Sequence, residues 1–553
     1  MKKEIICPNE RQKEWFRRGM TAFLHFNMNT FNEQEWSDGT DSPKLFNPTE
    51  LDCRQWIKVL KDAGFGTAIL TAKHHDGFCL WPSAYTDYTV KNSPYKDGKG
   101  DIVREFTDAC KEFGVKAGLY LSPWDRHEKT WGKPEYSDFY ANQLTELLTN
   151  YGTIWEIWWD GAGSTEAVYE WDRWANLVRT LQPNAVIFGS FGAAPYVDVR
   201  WAGNERGYAG KPCWATVDRN DVLVEIVENL NSGNLNGDSY IPAEVDVSIR
   251  PGWFYKKSQD EYVRPISNLL ELYFCSIGRN AGLLLNVPPD KRGLIADVDI
   301  KAISGFSAYL KKNLSVNLLD NATVIADDCF DGYDVKALTD GKEETYYKSK
   351  TDCPVIEYTF DKETLINTVI LEEMIDFGHR IIDYTVSALV DGEWKELFTN
   401  TCLGNCCIEQ FSVIKASKIR LNVNKSLDKP CLRTFKVCCF EELPKELCFN
   451  VKGKNLLSNS FARTDRNGDV IHMNLGGVFP FNTIKIDGKG LNSYDVRIFN
   501  GLDFSDPITI PVNGEDLSVF RFDNTIDYAY SLEITLHETV PTDDIRNVAV
   551  LYE

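Results

Sequence analysis

Four apolar runs near the start of the chain each end in a knot of polar residues. They are Met20-Thr21-Ala22-Phe23-Leu24-His25, Ala68-Ile69-Leu70-Thr71-Ala72-Lys73-His74-His75, Ala117-Gly118-Leu119-Tyr120-Leu121-Ser122-Pro123-Trp124-Asp125 and Ile154-Trp155-Glu156-Ile157-Trp158-Trp159-Asp160-Gly161. Between them the apolar spacing becomes helical, as with Leu51, Trp56, Ile57 and Leu60 in residues 48–63, and again in residues 102–113 and 139–148. Further strand-like runs cover residues 185–189, 199–203, 245–249 and 282–287. A parallel strand needs a crossover helix to return, so this alternation, which lasts to about residue 312, predicts a parallel (β/α) barrel. Residues 208–242 fit the scheme least well. In such a barrel the polar strand ends converge on one mouth, which is where barrel enzymes place their active sites.

From about Leu319 the pattern changes to short, β-branched and aromatic strands broken by the turns Asp331-Gly332, Asp340-Gly341 and Asp391-Gly392. A polar run at residues 441–446 marks a boundary, after which a second β unit carries its own turn at Asp487-Gly488. The expected architecture is multidomain: an N-terminal (β/α)8-like barrel over residues 1–315, then two C-terminal β-sandwich domains over 316–443 and 444–553.

Length agrees with this division, because 553 residues are too many for a single hydrophobic core. A charged fraction of 25% beside 43% hydrophobic residues is the ordinary globular mix, so the chain should be folded nearly throughout. The net charge of -21 repels phosphate backbones, which makes nucleic acid a poor partner and favours a neutral ligand. The 15 tryptophans sharpen this, since flat apolar rings stack on the C–H faces of sugars. No apolar run is long enough for a membrane span, and the first ten residues lack the apolar core of a secretion signal. The expected compartment is the cytoplasm, or the cell surface or exterior if a leader has been removed. The cysteines, including Cys402, Cys406-Cys407 and Cys438-Cys439, lack zinc-ligand spacing and are expected to be mostly buried thiols. Neither a metal nor a cofactor is expected, and the oligomeric state is left open.

Hydrolysis of a glycosidic bond needs two carboxyl groups flanking it. Asp160 is the best first member, because it follows a strand rich in tryptophan and precedes Gly161, although an aspartate capping the next helix would leave the same trace. Glu205, at the end of Arg200-Trp201-Ala202-Gly203-Asn204-Glu205, is the best second member, and Glu244 is its rival. Only seven histidines occur, and three of them, His25, His74 and His75, end the first two runs. On a continuing strand His74 and His75 would point to opposite sides, so both reach one pocket only if the chain turns there. Neutral imidazoles bonded to sugar hydroxyls suit them better than metal ligation, for which the usual spacings are missing.

The ordered set Phe23-Leu24-His25-Phe26-Asn27-Met28-Asn29-Thr30-Phe31, Glu35-Trp36, Lys73-His74-His75-Asp76-Gly77-Phe78, Leu121-Ser122-Pro123-Trp124, Trp158-Trp159-Asp160-Gly161 and Asn280-Ala281-Gly282-Leu283-Leu284-Leu285-Asn286-Val287-Pro288-Pro289 resembles the α-L-fucosidases of glycoside hydrolase family 29. The resemblance implies that Asp160 is the nucleophile of a retaining enzyme and that His25, Glu35, Trp36, His74, His75, Tyr120, Trp124 and Trp159 line a fucose pocket. The Trp-Ala-Gly-Asn-Glu motif ending at Glu205, with Ile249-Arg250-Pro251-Gly252-Trp253-Phe254-Tyr255, is similar to the branch selective for α-1,3/1,4-linked fucose in Lewis-type glycans. There the matching glutamate is the acid/base. Glu244 and Trp253 are counted with the substrate-binding residues. The expected substrate is a fucosylated oligosaccharide or glycoconjugate. The middle region is similar to discoidin (factor 5/8 C-type) modules, with His379 where a glutamine is usual. Two rival functions stay open: a catalytically silent glycan-binding protein, and a hydrolase of another α-linked sugar such as α-L-galactose.

Overall fold

The structure is a computed structural model, and it describes residues 5–163, 167–441, 443, 453–458, 462–488, 491–500, 504–512, 516–537 and 545–553. It divides into two compact units, one of Met1–Val247, Leu270–Ala296 and Ser304–Glu441, the other of Ser248–Leu269, Asp297–Ile303 and Glu442–Glu553. The boundary expected at residues 441–446 lies mostly outside the described residues.

In the first unit eight parallel strands close into a barrel. They are β1 (Met20–Leu24), β2 (Phe65–Lys73), β3 (Lys116–Leu121), β4 (Glu156–Trp158), β5 (Val186–Gly189), β6 (Val199–Trp201), β9 (Ala243–Ser248) and β10 (Gly282–Asn286), with β10 closing on β1. β2 is buried at every position but Gly66, as a parallel strand covered on both faces must be. The helices are α1 (Glu10–Arg17), α2 (Met28–Asn32), α3 (Cys53–Asp62), α4 (Ile102–Phe113), α5 (Tyr136–Asn150), α6 (Trp171–Leu181), α7 (Arg219–Leu223), α8 (Val227–Ser232), α9 (Ile266–Ser276) and α10 (Asp297–Leu314). α3 starts where the Asp52 side chain accepts the N–H groups of Arg54 and Gln55, and it buries Trp56, Ile57 and Leu60. Only a 3₁₀ turn, Phe191–Ala193, separates β5 from β6, so one crossover helix of a regular (β/α)8 barrel is replaced by a turn. Residues 208–242, which had resisted prediction, add no barrel strand: they hold α7, α8 and the short antiparallel pair β7 (Thr216–Val217) and β8 (Ser239–Tyr240).

The same unit continues into an antiparallel β domain built from β11 (Thr323–Ala326), β12 (Tyr347–Lys348), β13 (Val355–Glu373), β14 (Ile381–Val390), β15 (Glu393–Asn400), β16 (Cys407–Ser426) and β17 (Cys431–Cys438). β13 and β16 are long and pass from one layer to the other. The first part of β13 lies between β11 and the later part of β16, and its last part lies between β17 and the start of β16, with register shifts between. Tyr347, Tyr384, Leu421 and Phe435 fill the core of this sandwich. Here His379 has a visible use. Its Nε2 accepts the N–H of Ala215 at 3.0 Å, its ring stacks on Tyr240, and it meets Trp214 edge-on, so it joins the β domain to the barrel.

The second unit contains an antiparallel sheet of β18 (Arg463–Asn467), β19 (Val470–Gly488), β20 (Ser493–Phe499), β21 (Ile508–Pro511), β22 (Leu517–Leu536) and β23 (Ile545–Leu551). Met473, Phe481, Tyr494 and Ile534 lie in its core, and Tyr262 packs against Tyr530 and Phe499. No helix among the described residues is long and apolar enough to cross a membrane.

Candidate active site

Strand β4 ends at Trp158, and Trp158 and Trp159 diverge as alternation requires. Trp158 points into the barrel, where it stacks on Phe188 at 4.1 Å and meets Tyr120 and Phe23, forming a floor. Trp159 turns outward, buried against Trp171 of α6. Asp160 then emerges at the mouth with its side chain 28% exposed. Its Oδ2 accepts the Tyr120 hydroxyl at 3.0 Å and its Oδ1 accepts the Ala162 N–H at 2.8 Å, so the carboxylate is held but not enclosed.

Three imidazoles form one wall. β2 stops at Lys73 and the chain turns, with the Gly77 N–H bonded to the His74 carbonyl, so His74 and His75 face the same space with rings 4.1 Å apart. His25, just after β1, lies 5.6 Å from His74, and His74 stacks on Tyr120. His75 Nε2 is 3.7 Å from Asp160 Oδ2. Burial dominates all three titrations: His25 is pushed down to about 3, His74 falls well below the usual histidine range, and His75 is lowered despite the opposing charge of Asp160. At neutral pH the wall is therefore uncharged, suited to hydroxyl groups rather than anions.

The rim is aromatic. Trp36 is 59% exposed and meets both His75 and Trp124 edge-on, while Trp124 leans over His75 at 4.9 Å. Glu35 precedes Trp36, and this segment is tied down through backbone carbonyls: Asn29 Nδ2 donates to that of Glu35, and Arg126 donates to those of Trp36 and Ser37. Glu205 is exposed on the turn that follows β6, a turn pinned by the Asn204 side chain and closed at Gly207. Gly207 has φ +81°, a conformation that favours glycine, and a Cβ there would lie 2.5 Å from the end of the Leu272 side chain. Beside this turn Asp246 of β9 is buried and accepts the Trp201 indole N–H at 2.9 Å. Its carboxyl is held well above the usual range by burial first and the charge of Glu205 second.

Two residues expected to line the pocket lie elsewhere: Trp159, which packs outward on Trp171, and Glu244. Glu244 sits near the start of β9, 1% exposed, bonded to Arg18 and accepting the Trp158 indole N–H from below the floor. Trp253 belongs to the second unit, in the segment after β9. The structure also adds residues to which no role had been given. These are Trp158, Asp246, and three polar anchors behind the imidazoles: Ser122, Asn29 and Asn286. Asn286 closes β10, and a polar residue at the end of a barrel strand was signal enough to find it. Among the described residues no group of three or more histidine, cysteine, aspartate or glutamate side chains is placed to hold a metal ion.

Comparison with known proteins gives this geometry a context. Residues 5–315 match the family model described as alpha-L-fucosidase. The chain is 41% identical over 443 residues to alpha-L-fucosidase 1 of Arabidopsis thaliana, covering 77% of this chain and 86% of that protein. A crystal structure from Bacteroides thetaiotaomicron is 44% identical with a TM-score of 0.77, covering 79% of this chain and 98% of that one. A Ruminococcus gnavus fucosidase of glycoside hydrolase family 29, solved in complex with fucose, is 32% identical with a TM-score of 0.74, covering 79% of this chain and 95% of that one.

Proposed function

The chain belongs to the α-L-fucosidase family, glycoside hydrolase family 29, and is a fucosidase; on that premise we propose that it removes terminal α-1,3/1,4-linked L-fucose from Lewis-type glycans with retention of configuration. Asp160 attacks the anomeric carbon, the bond to the glycosidic oxygen breaks, and Glu205 gives its proton to that departing oxygen. Glu205 then takes a proton from water, the water oxygen attacks the same carbon, and Asp160 is released with free fucose. The observation that carries this reading is the Asp160 carboxylate itself, held by Tyr120 and the Ala162 N–H at the open end of the barrel and facing an uncharged imidazole wall. Glu205 is favoured as the acid because its turn follows the mouth end of β6, whereas Glu244 is sealed below Trp158. Linkage preference rests on the Trp201–Glu205 motif and on the segment at residues 249–255, and the exposed Trp36 rim supplies an apolar ledge for a branched aglycone. The first β domain is read as a discoidin-like module with a supporting role, consistent with His379 joining it to the barrel.

The test is free-fucose release from a Lewis trisaccharide, an α-1,2-fucosylated lactose and an aryl fucoside, measured side by side. Fast release from the trisaccharide alone supports the linkage reading, and equal release from all three removes it. With Glu205→Ala, activity on substrates with good leaving groups should survive and rise with azide. The same rescue at Glu244→Ala instead would move the acid role there.

A further inference from the structure

Each imidazole of the wall is backed by one polar anchor at Nδ1, and the three anchors are not chemically alike. His25 Nδ1 lies 2.9 Å from Asn286 Oδ1, which also receives the His25 backbone N–H at 3.3 Å. That second bond fixes the amide orientation independently of the ring. The anchor is therefore an acceptor, the proton of His25 sits on Nδ1, and Nε2 presents a lone pair. Behind His74 the amide is reversed. Asn29 Oδ1 accepts the Ser37 N–H at 3.0 Å and its Nδ2 donates to the Glu35 carbonyl at 3.1 Å, so the nitrogen is what faces His74 Nδ1, at 3.4 Å. A donor behind the ring puts the His74 proton on Nε2. His75 Nδ1 lies 2.8 Å from Ser122 Oγ, whose own proton goes to the Trp124 carbonyl at 2.6 Å. The hydroxyl can only accept from the ring, so Nδ1 carries the proton and Nε2 faces Asp160 Oδ2 as a lone pair.

We propose that Asn286, Asn29 and Ser122 are positioning residues that fix an acceptor–donor–acceptor order of Nε2 atoms across His25, His74 and His75, and that Ser122 keeps the His75 proton away from Asp160. The order deepens the fucosidase reading and rests on it for its use. Hydroxyls are received as donors by His25 and His75 and as an acceptor by His74, so the wall fixes the direction in which each bound hydroxyl points its proton and rejects an analogue that lacks a hydroxyl there. At His75 the consequence concerns the reaction. An Nε2–H there would donate toward Asp160 Oδ2 and hold the electron pair the nucleophile needs. Because all three rings are buried, a second proton does not blur the order near neutral pH.

The protein has seven histidines, few enough for long-range ¹H–¹⁵N correlation on full-length, ¹⁵N-histidine-labelled enzyme, with assignment by single His→Gln variants. At pH 7.5 His25 and His75 should show the Nδ1–H tautomer and His74 the Nε2–H tautomer. Inversion of any of the three, or an imidazolium signal, overturns the proposal. Ser122→Ala should convert His75 to the Nε2–H form and lower kcat about 10- to 100-fold, the usual effect of removing an orienting partner, with a smaller change in KM. Ser122→Thr, which keeps the hydroxyl, should restore both the tautomer and the rate. A Ser122→Ala enzyme slowed without a tautomer change would reduce Ser122 to a packing role and overturn that part. If Ser122→Ala does not fold, the wild-type spectrum still decides the order. Failure of fucose release with the predicted tautomers present would refute the functional reading and leave the order standing.

Discussion

The two ends of the barrel make similar use of buried titratable groups, and only one end is open. At the mouth, Asp160 is reachable and its neighbours are neutral rings held by neutral hydrogen bonds. At the foot, Arg18 bridges Glu156 and Glu244, with side chains 4%, 0% and 1% exposed, and its guanidinium lies over the Trp15 ring. Two carboxyls share one cation there, and burial followed by the charge of Glu156 pushes Glu244 up to about 8. By shifted titration alone the foot is as good a candidate as the mouth, which shows that perturbation marks burial as readily as it marks chemistry. The discriminating feature is position along the strands. Groups at strand starts are enclosed, whereas groups just past strand ends sit on turns that can leave a cavity. Trp158 is the partition between them, touching Tyr120 above and Glu244 below.

Substitutions can break this comparison at either end. The largest effect should come from Asp160→Asn, which keeps the fold but lowers kcat on an aryl fucoside on the order of a thousand-fold or more. A melting temperature near wild type with activity retained would refute its role. Arg18→Ala should do the reverse. It leaves two buried carboxyls without their cation and costs about 3–5 kcal/mol of stability in denaturant titration, while kcat per folded molecule stays close to wild type. A specific loss of kcat would make the foot part of the reaction.

A finer test uses pH. The folded Glu244 keeps its proton up to about 8, whereas the unfolded chain releases it near the ordinary 4.5, so stability falls as pH rises through that window. Glu244→Gln removes this contribution, and its unfolding midpoint should decline less than that of wild type between pH 5 and 8. Parallel curves would show that Glu156 carries the proton instead. The smallest effect is expected at the rim: Trp36→Ala should raise KM for a branched glycan by about 1 kcal/mol of lost contact with kcat unchanged. An unchanged KM would mean that the glycan does not use that ledge.

Much of the barrel was legible because its cues are local. The run ending at Asp160, the helix at residues 102–113 and the strand at 282–287 each carry their own periodicity and stop signals, and the structure has β4, α4 and β10 there. Residues 208–242 were not legible, since two-residue strands and helices of five and six residues are too short to show a period. At Trp158-Trp159 the resemblance gave the pocket to Trp159, and the direction of the strand in the closed barrel corrects this, sending Trp158 to the floor and Trp159 to α6.

The sequence by itself determined which segments are strands and which polar residues follow them, because hydrophobic alternation and turn chemistry act over a few neighbours. It therefore placed Asp160 just past β4 and His25 just past β1. Only the tertiary structure decided depth. Glu244 and Asp246 share one face of β9, yet one joins Arg18 at the foot and the other lies beside Glu205. Period-two alternation says which face a side chain takes. The stagger of eight strands around a closed barrel sets the height at which it enters, and that stagger is a property of the whole ring.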